Sequence, residues 1–124
     1  MKDEYSIAGD SRQPIVAVMG SGRDEHGELA GPLGEWIGAK GCHLLTGGGA
    51  GVMASVSRAF HSVEGRVGRS IGILPGSSEA GGRGSPGGYP NHWVEIPIRT
   101  HLPLSGERGR DPMSRNHLNV LSAD

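Results

Sequence analysis

Three stretches of this 124-residue chain combine residue types that could hold an anion. The first is Gly20-Ser21-Gly22, which ends an apolar run and offers backbone amides together with a hydroxyl. The second is Thr46-Gly47-Gly48-Gly49-Ala50-Gly51, set between an apolar run and a helix-like segment. Free amides at such a turn, joined to the positive end of a helix, favour a phosphate or another anion. The standard fingerprints do not fit. A GxGxxG match from Gly47 requires glycine where Val52 stands, and no Lys-Ser/Thr pair follows to make a Walker A loop. A tight turn with close strand–helix packing explains the same glycines, and the spacing alone leaves both readings open. The third stretch is Arg115-Asn116, preceded by Ser114. Arginine in a first helical turn meets the positive end of the macrodipole, so it needs another reason to be there. A bound anion is one such reason, because the planar guanidinium fork matches phosphate oxygens; an acidic neighbour or plain solvent exposure is the alternative.

Other chemistry finds little support. Cys42 and His43 are adjacent on a predicted strand, so their side chains point to opposite faces and cannot share a metal. His26, His61, His92, His101 and His117 show neither HExxH nor Cys/His ligand spacing, and no metal site is expected. There is no GxSxG elbow and no nucleophile–base pair. The carboxylates Glu28, Glu35, Glu79 and Glu95 are the candidate acids, with Glu79 in the context "LPGSSE". A lone loop carboxylate is more often solvated than catalytic, so no catalytic residue is assigned.

The elements that must position these residues alternate along the chain. "PIVAVMGSG" reads as a strand buried on both faces that stops at Gly20-Ser21-Gly22. A helix follows, with Leu29, Leu33, Trp36 and Ile37 on one apolar face; Pro32 kinks it or marks its first turn, and Gly41 stops it. "CHLLT" is the second strand, and a second helix from Ala50 to Val63 carries Val52, Val56, Ala59 and Phe60 on one stripe. "RSIGILPG" is the third strand, and the Gly- and Pro-rich span to His92 must be a loop. "WVEIPI" is a fourth strand near an edge, because it contains Pro97. Asp111-Pro112 then opens a last helix, with Met113, His117, Val120 and Leu121 on one face and Arg115 and Asn119 on a polar face. This alternation predicts an α/β fold with a parallel sheet and right-handed crossovers, whose ligands sit outside the carboxyl ends of the strands.

With the elements in this order, "VAVMGSG", "LLTGGGAGVMASVSRAF", "IGILPG", "VEIPI" and "SRNHLNVLSAD" resemble the Lonely-Guy-type Rossmann proteins, long mislabelled lysine decarboxylases. Within that superfamily the chain is most similar to the molybdenum cofactor carrier-like branch, which shares the "GILPG" strand, an Asn ahead of the fourth strand and the Arg-Asn pair. The resemblance covers Ile15 to Asp124 and implies a Rossmann-like parallel sheet with flanking helices over residues 14–124, preceded by a polar tail at 1–13. It implies a site for a phosphorylated heterocycle lined by Gly20, Ser21, Gly22, Thr46, Gly47, Gly48, Gly49, Gly51, Arg115 and Asn116. Molybdenum cofactor, a pterin monophosphate, is the favoured cargo, with the loop from Gly76 to His92 covering the pterin. A nucleoside monophosphate-like ligand is the other option. In the phosphoribohydrolase branch, an Arg on this helix and a Glu in a later PGGxGTxxE motif hydrolyse nucleoside 5′-monophosphates. That motif is absent from this chain, which stops short of the family's fifth strand, so carriage is expected rather than hydrolysis. A partial member that completes its sheet with another chain, or a fragment that binds nothing, are the accompanying expectations.

The bulk properties narrow the partners. A net charge of -1 gives no electrostatic argument for nucleic acid. The single cysteine fits a reducing compartment. The amino-terminal "MKDEYSIAGDSRQP" has no apolar signal core, and nothing approaches the run of roughly 18 apolar residues that a membrane span requires. A cytoplasmic homo-oligomer that binds a small phosphorylated ligand is the resulting expectation.

Overall fold

The computed structural model describes residues 12–76, 88–102 and 114–124. Four strands form one sheet in the order β1-β2-β3-β4: β1 Ile15–Ala17, β2 His43–Thr46, β3 Ser70–Leu74 and β4 Ile96–Arg99. All three pairings are parallel, with Val16 opposite Leu44, Leu45 opposite Ile71 and Gly72 opposite Pro97. Helix α1 (Gly27–Ala39) joins β1 to β2, helix α2 (Val52–His61) joins β2 to β3, and α3 (Arg115–Ser122) follows β4. The two short crossovers place α1 and α2 side by side over the sheet, while α3 packs against β3 and β1. The α/β fold with a parallel sheet expected from the alternation, Rossmann-like as the resemblance implies, is therefore the one observed.

The main apolar cluster joins Ala30 and Ile37 of α1, Val56 and Phe60 of α2, and Cys42 and Leu44 at β2, with Val16 and Val18 packed against it. Strand side chains alternate between faces, so Leu45, buried beside Leu44, points to the other side of the sheet. The stripe expected on α2 is confirmed at Val52, Val56 and Phe60.

The outer helices depart from the expected pattern. On α1 the buried positions are Ala30, Gly34, Ile37 and Gly38, while Leu29 is 73% exposed and Trp36 54% exposed, with Leu33 also outside. The cause is the contact with α2. A Cβ at Gly34 would collide with the Val56 carbonyl and lie 2.9 Å from the Ala59 Cβ, so the small residues form the packing face. Pro32 lies inside α1 rather than in its first turn. On α3 the polar face is the buried one: Arg115 and Asn119 are inside, and His117, Val120 and Leu121 are exposed. Met113, the Asp111-Pro112 start and Glu79 lie outside the described residues; the described helix runs from Arg115, with Ser114 at its N-cap position.

Among the described residues β1 and β4 are the outer strands, as expected for β4 from Pro97. β1 is consequently only half-buried, not covered on both faces. Asp124 meets its outer edge: the Asp124 amide donates to the Ile15 carbonyl at 2.9 Å, and the Ile15 amide donates back to Asp124 Oδ2 at 2.8 Å. Two hydrogen bonds from Arg12, and then the Ile15 amide, hold the Asp124 carboxyl down at about 2.

Glu95, one of the candidate acids, is fixed at the amino end of β3 and β4. It accepts from Arg66 at 3.0 and 3.1 Å and from the Ser70 amide at 2.9 Å, with Arg69 at 3.6 Å and His61 at 4.0 Å. Burial pushes its pKa up, but the Arg66 and Ser70 hydrogen bonds and the Arg66 and His61 charges outweigh this and hold it below 4.5. The side chain is 23% exposed, between the regimes of surface and buried pairs. Glu95→Gln is therefore expected to lower unfolding free energy by about 1–3 kcal/mol at neutral pH, read from the urea midpoint. Because the folded-state value is depressed, this stabilisation is complete above the ordinary 4.5 and fades as pH falls through the lower folded-state value. The difference between wild type and Glu95→Gln should shrink across that acid range.

Candidate functional site

The carboxyl ends of β1 and β2 enclose a cleft of ≈ 330 Å³. Its walls are Val18, Met19 and the turn Gly20-Ser21-Gly22 after β1, Gly47 after β2, Met53 in the first turn of α2, and Arg115 and Asn116 on α3. Three chain segments far apart in sequence thus converge where folds of this kind place their ligands.

The turn after β1 is poised to donate hydrogen bonds. Ser21 Oγ accepts from the Arg23 amide at 3.0 Å and the Asp24 amide at 2.9 Å, which leaves its own proton free to point elsewhere. The amides of Gly20, Ser21 and Gly22 bond to none of the described residues. The amino end of α2 abuts this turn, because the Val52 amide donates to the Ser21 carbonyl at 2.9 Å. The positive end of the helix macrodipole therefore adds to the same anion-favouring field.

The glycine loop after β2 is mostly a packing device. Gly47 alone of its residues lines the cleft. Gly48 is left-handed (φ 78°) and its amide donates to the Thr46 hydroxyl at 3.0 Å. The Gly49 amide donates to Met53 Sδ at 3.3 Å, and a Cβ at Gly49 would stand 2.7 Å from the Tyr89 ring. Asn91 clamps the loop from behind: its amide donates to the Gly48 carbonyl at 2.7 Å and its Nδ2 to the Gly49 carbonyl at 2.8 Å. Thr46, Gly48, Gly49 and Gly51 thus shape the wall without reaching the cleft. The supporting Asn91 is the Asn ahead of the fourth strand that the sequence resemblance includes; Tyr89, Met19 and Met53 carried no such signal.

Arg115 is the unusual member. It is 1% exposed, and its Nη1 donates to the Gly47 carbonyl and, at 3.0 Å, to the Ile73 carbonyl. Its guanidinium lies 5.6 Å from the centre of the Tyr89 ring. Among the described residues its Nε finds no acceptor and no carboxylate pairs with it. Burial lowers its pKa and Tyr89 opposes that shift, yet a guanidinium remains charged in proteins. A buried cation without a carboxylate is costly unless something anionic or strongly dipolar faces it. Of the other candidate acids, Glu28 and Glu35 are exposed on α1, and neither lines the cleft.

A parallel sheet with a donor-rich turn and a buried guanidinium at the carboxyl ends of its strands defines a Rossmann-like α/β domain with its cleft in the ligand position. The chain belongs to the SLOG cluster4 family, whose family model matches residues 13–124. Among solved structures it is similar to the molybdenum cofactor binding protein from the phototrophic bacterium Rippkaea orientalis, at 33% identity and a TM-score of 0.66. The match covers 93% of this chain and 61% of that one, so this chain spans about three-fifths of its neighbour's length. A search of curated proteins gives no match. The family and the neighbour bear out the resemblance to the molybdenum cofactor carrier-like branch. Among the described residues no helix is long and apolar enough to cross a membrane.

Proposed function

We propose that this chain binds and carries a phosphorylated heterocycle in the cleft between Gly20-Ser21-Gly22 and Arg115, with molybdenum cofactor as the favoured cargo. The observation that carries this reading is Arg115: a guanidinium 1% exposed, without a carboxylate partner among the described residues, in the wall of an open cleft. The free amides and hydroxyl of the β1 turn supply donors to a phosphate, and Arg115 supplies the charge. Val18, Met19 and Met53 offer the apolar surface on which a planar ring can lie. The neighbour's binding of molybdenum cofactor supports the choice of cargo. The lining presents donors and thioethers but, among the described residues, no carboxylate, which suits holding an anion better than cleaving a glycosidic bond. The outward stripe of Leu29, Leu33 and Trp36 supports the expected self-association, and the single cysteine supports a cytoplasmic setting.

A thermal-shift titration tests the reading. A pterin monophosphate at about 100 times its Kd should add about 2.7 kcal/mol of stability, while the phosphate-free pterin should shift the Tm far less. Equal shifts from the two, or none from either, would remove phosphate recognition from the cleft. Release of free adenine on incubation with AMP would instead favour a phosphoribohydrolase.

A further inference from the structure

The polar face of α3 buries two groups whose hydrogen-bonding needs the described residues do not meet. Asn119 is 1% exposed and, among the described residues, its Oδ1 has no donor; four residues earlier, Arg115 Nε has no acceptor among them. Side chains four apart on a helix are neighbours, so an unmet acceptor and an unmet donor lie on one strip of α3. Each unsatisfied buried group costs about 1–3 kcal/mol, and apolar residues would avoid that cost. The remaining contact of Asn119 leads to the cleft: its Nδ2 donates weakly to Met19 Sδ at 3.7 Å, and Met19 lines the cleft while being 45% exposed. A methionine is flexible enough to turn aside and open that path.

We infer that Asn119 reads the heterocycle: its Oδ1 accepts from a ring N–H, while Arg115 Nε donates to an acceptor oxygen of the same ligand. The inference rests on the phosphate-anchored reading of the cleft and adds to it the edge that is recognised. The ring class that fits carries an N–H beside a carbonyl, the lactam edge shared by pterins and guanine. A ring whose corresponding nitrogen is only an acceptor leaves Asn119 Oδ1 unpaired and is rejected.

Titration calorimetry of the 124-residue chain with three probes tests this: GMP, O6-methyl-GMP, which lacks the ring N–H, and ribose 5-phosphate, which lacks the ring. Wild type should bind GMP about ten-fold tighter than O6-methyl-GMP, the worth of one neutral hydrogen bond. Asn119→Leu should erase that preference, leave ribose 5-phosphate binding unchanged, and hold or raise the Tm because an unmet buried acceptor is gone. A lower Tm with the GMP preference intact would make Asn119 purely structural and overturn the inference. Equal wild-type affinity for GMP and O6-methyl-GMP would overturn it without any variant. If ribose 5-phosphate and GMP both fail to bind, the phosphate-anchored reading itself falls, and the inference with it.

Discussion

Replacing Arg115 with alanine should weaken binding of a phosphorylated ligand by about 1.5–3 kcal/mol, roughly 10- to 150-fold in Kd. The range is that of a hydrogen bond to a charged group, and Arg115 is the charged donor that the cleft buries. The effect on stability combines two opposing changes. Removing the guanidinium leaves the Gly47 and Ile73 carbonyls without their donor, which costs about 1–3 kcal/mol for each buried acceptor. It also removes a buried cation, which returns part of that cost. Arg115→Lys separates the two roles, because an ammonium keeps the charge but cannot reproduce a planar fork. It should retain part of the affinity and lose the ordered contact with Gly47. Calorimetry with the pterin monophosphate, run beside thermal unfolding, reads both effects. An unchanged affinity in Arg115→Ala would exclude Arg115 from the site.

Gly34→Ala should lower unfolding free energy by about 1–3 kcal/mol, whereas Gly31→Ala, three residues away, should raise it by about 0.5–1 kcal/mol. The added methyl at Gly34 meets the Val56 carbonyl, the Ala59 Cβ at 2.9 Å and the Phe60 amide nitrogen at 2.9 Å, all fixed parts of α2. The two helices must part to admit it, and the cluster of Ile37, Val56 and Phe60 loosens with them. At Gly31 the same methyl meets nothing within 4 Å, so only the gain in helix propensity remains. Urea denaturation of both variants distinguishes this packing from its mirror. If Leu29, Leu33 and Trp36 faced the core instead, Gly34 would lie on the outer side of α1 and alanine there would be tolerated as it is at Gly31.

Much of the cleft was legible in the chain itself. β-branched runs ending in glycine turns mark strands and their carboxyl ends through local backbone chemistry, and alternation with helices makes the sheet parallel. Arginine at the start of α3 stood out because it opposes the helix macrodipole, and it is the residue that the fold buries beside Gly47. The glycine loop was half legible. Its conformation is local, but that Gly49 must clear Tyr89 and Gly47 must clear Arg115 depends on chain 40 and 68 residues away.

What the sequence determined by itself was therefore the order of elements, the direction of the sheet and the end of it at which the cleft opens. Hydrogen-bonding propensity and short-range periodicity suffice for these. The tertiary structure alone decided which face of α1 and α3 is buried. Hydropathy assigns Leu29 and Trp36 to the core and Asn119 to water, yet the fold reverses both. The physical reason is that burial belongs to a pair of surfaces. Gly34 and Gly38 are buried because α2 approaches within a methyl's width, and Arg115 is buried because the carbonyls of Gly47 and Ile73 are there to receive it. Nothing in the residues' own polarity records either partner.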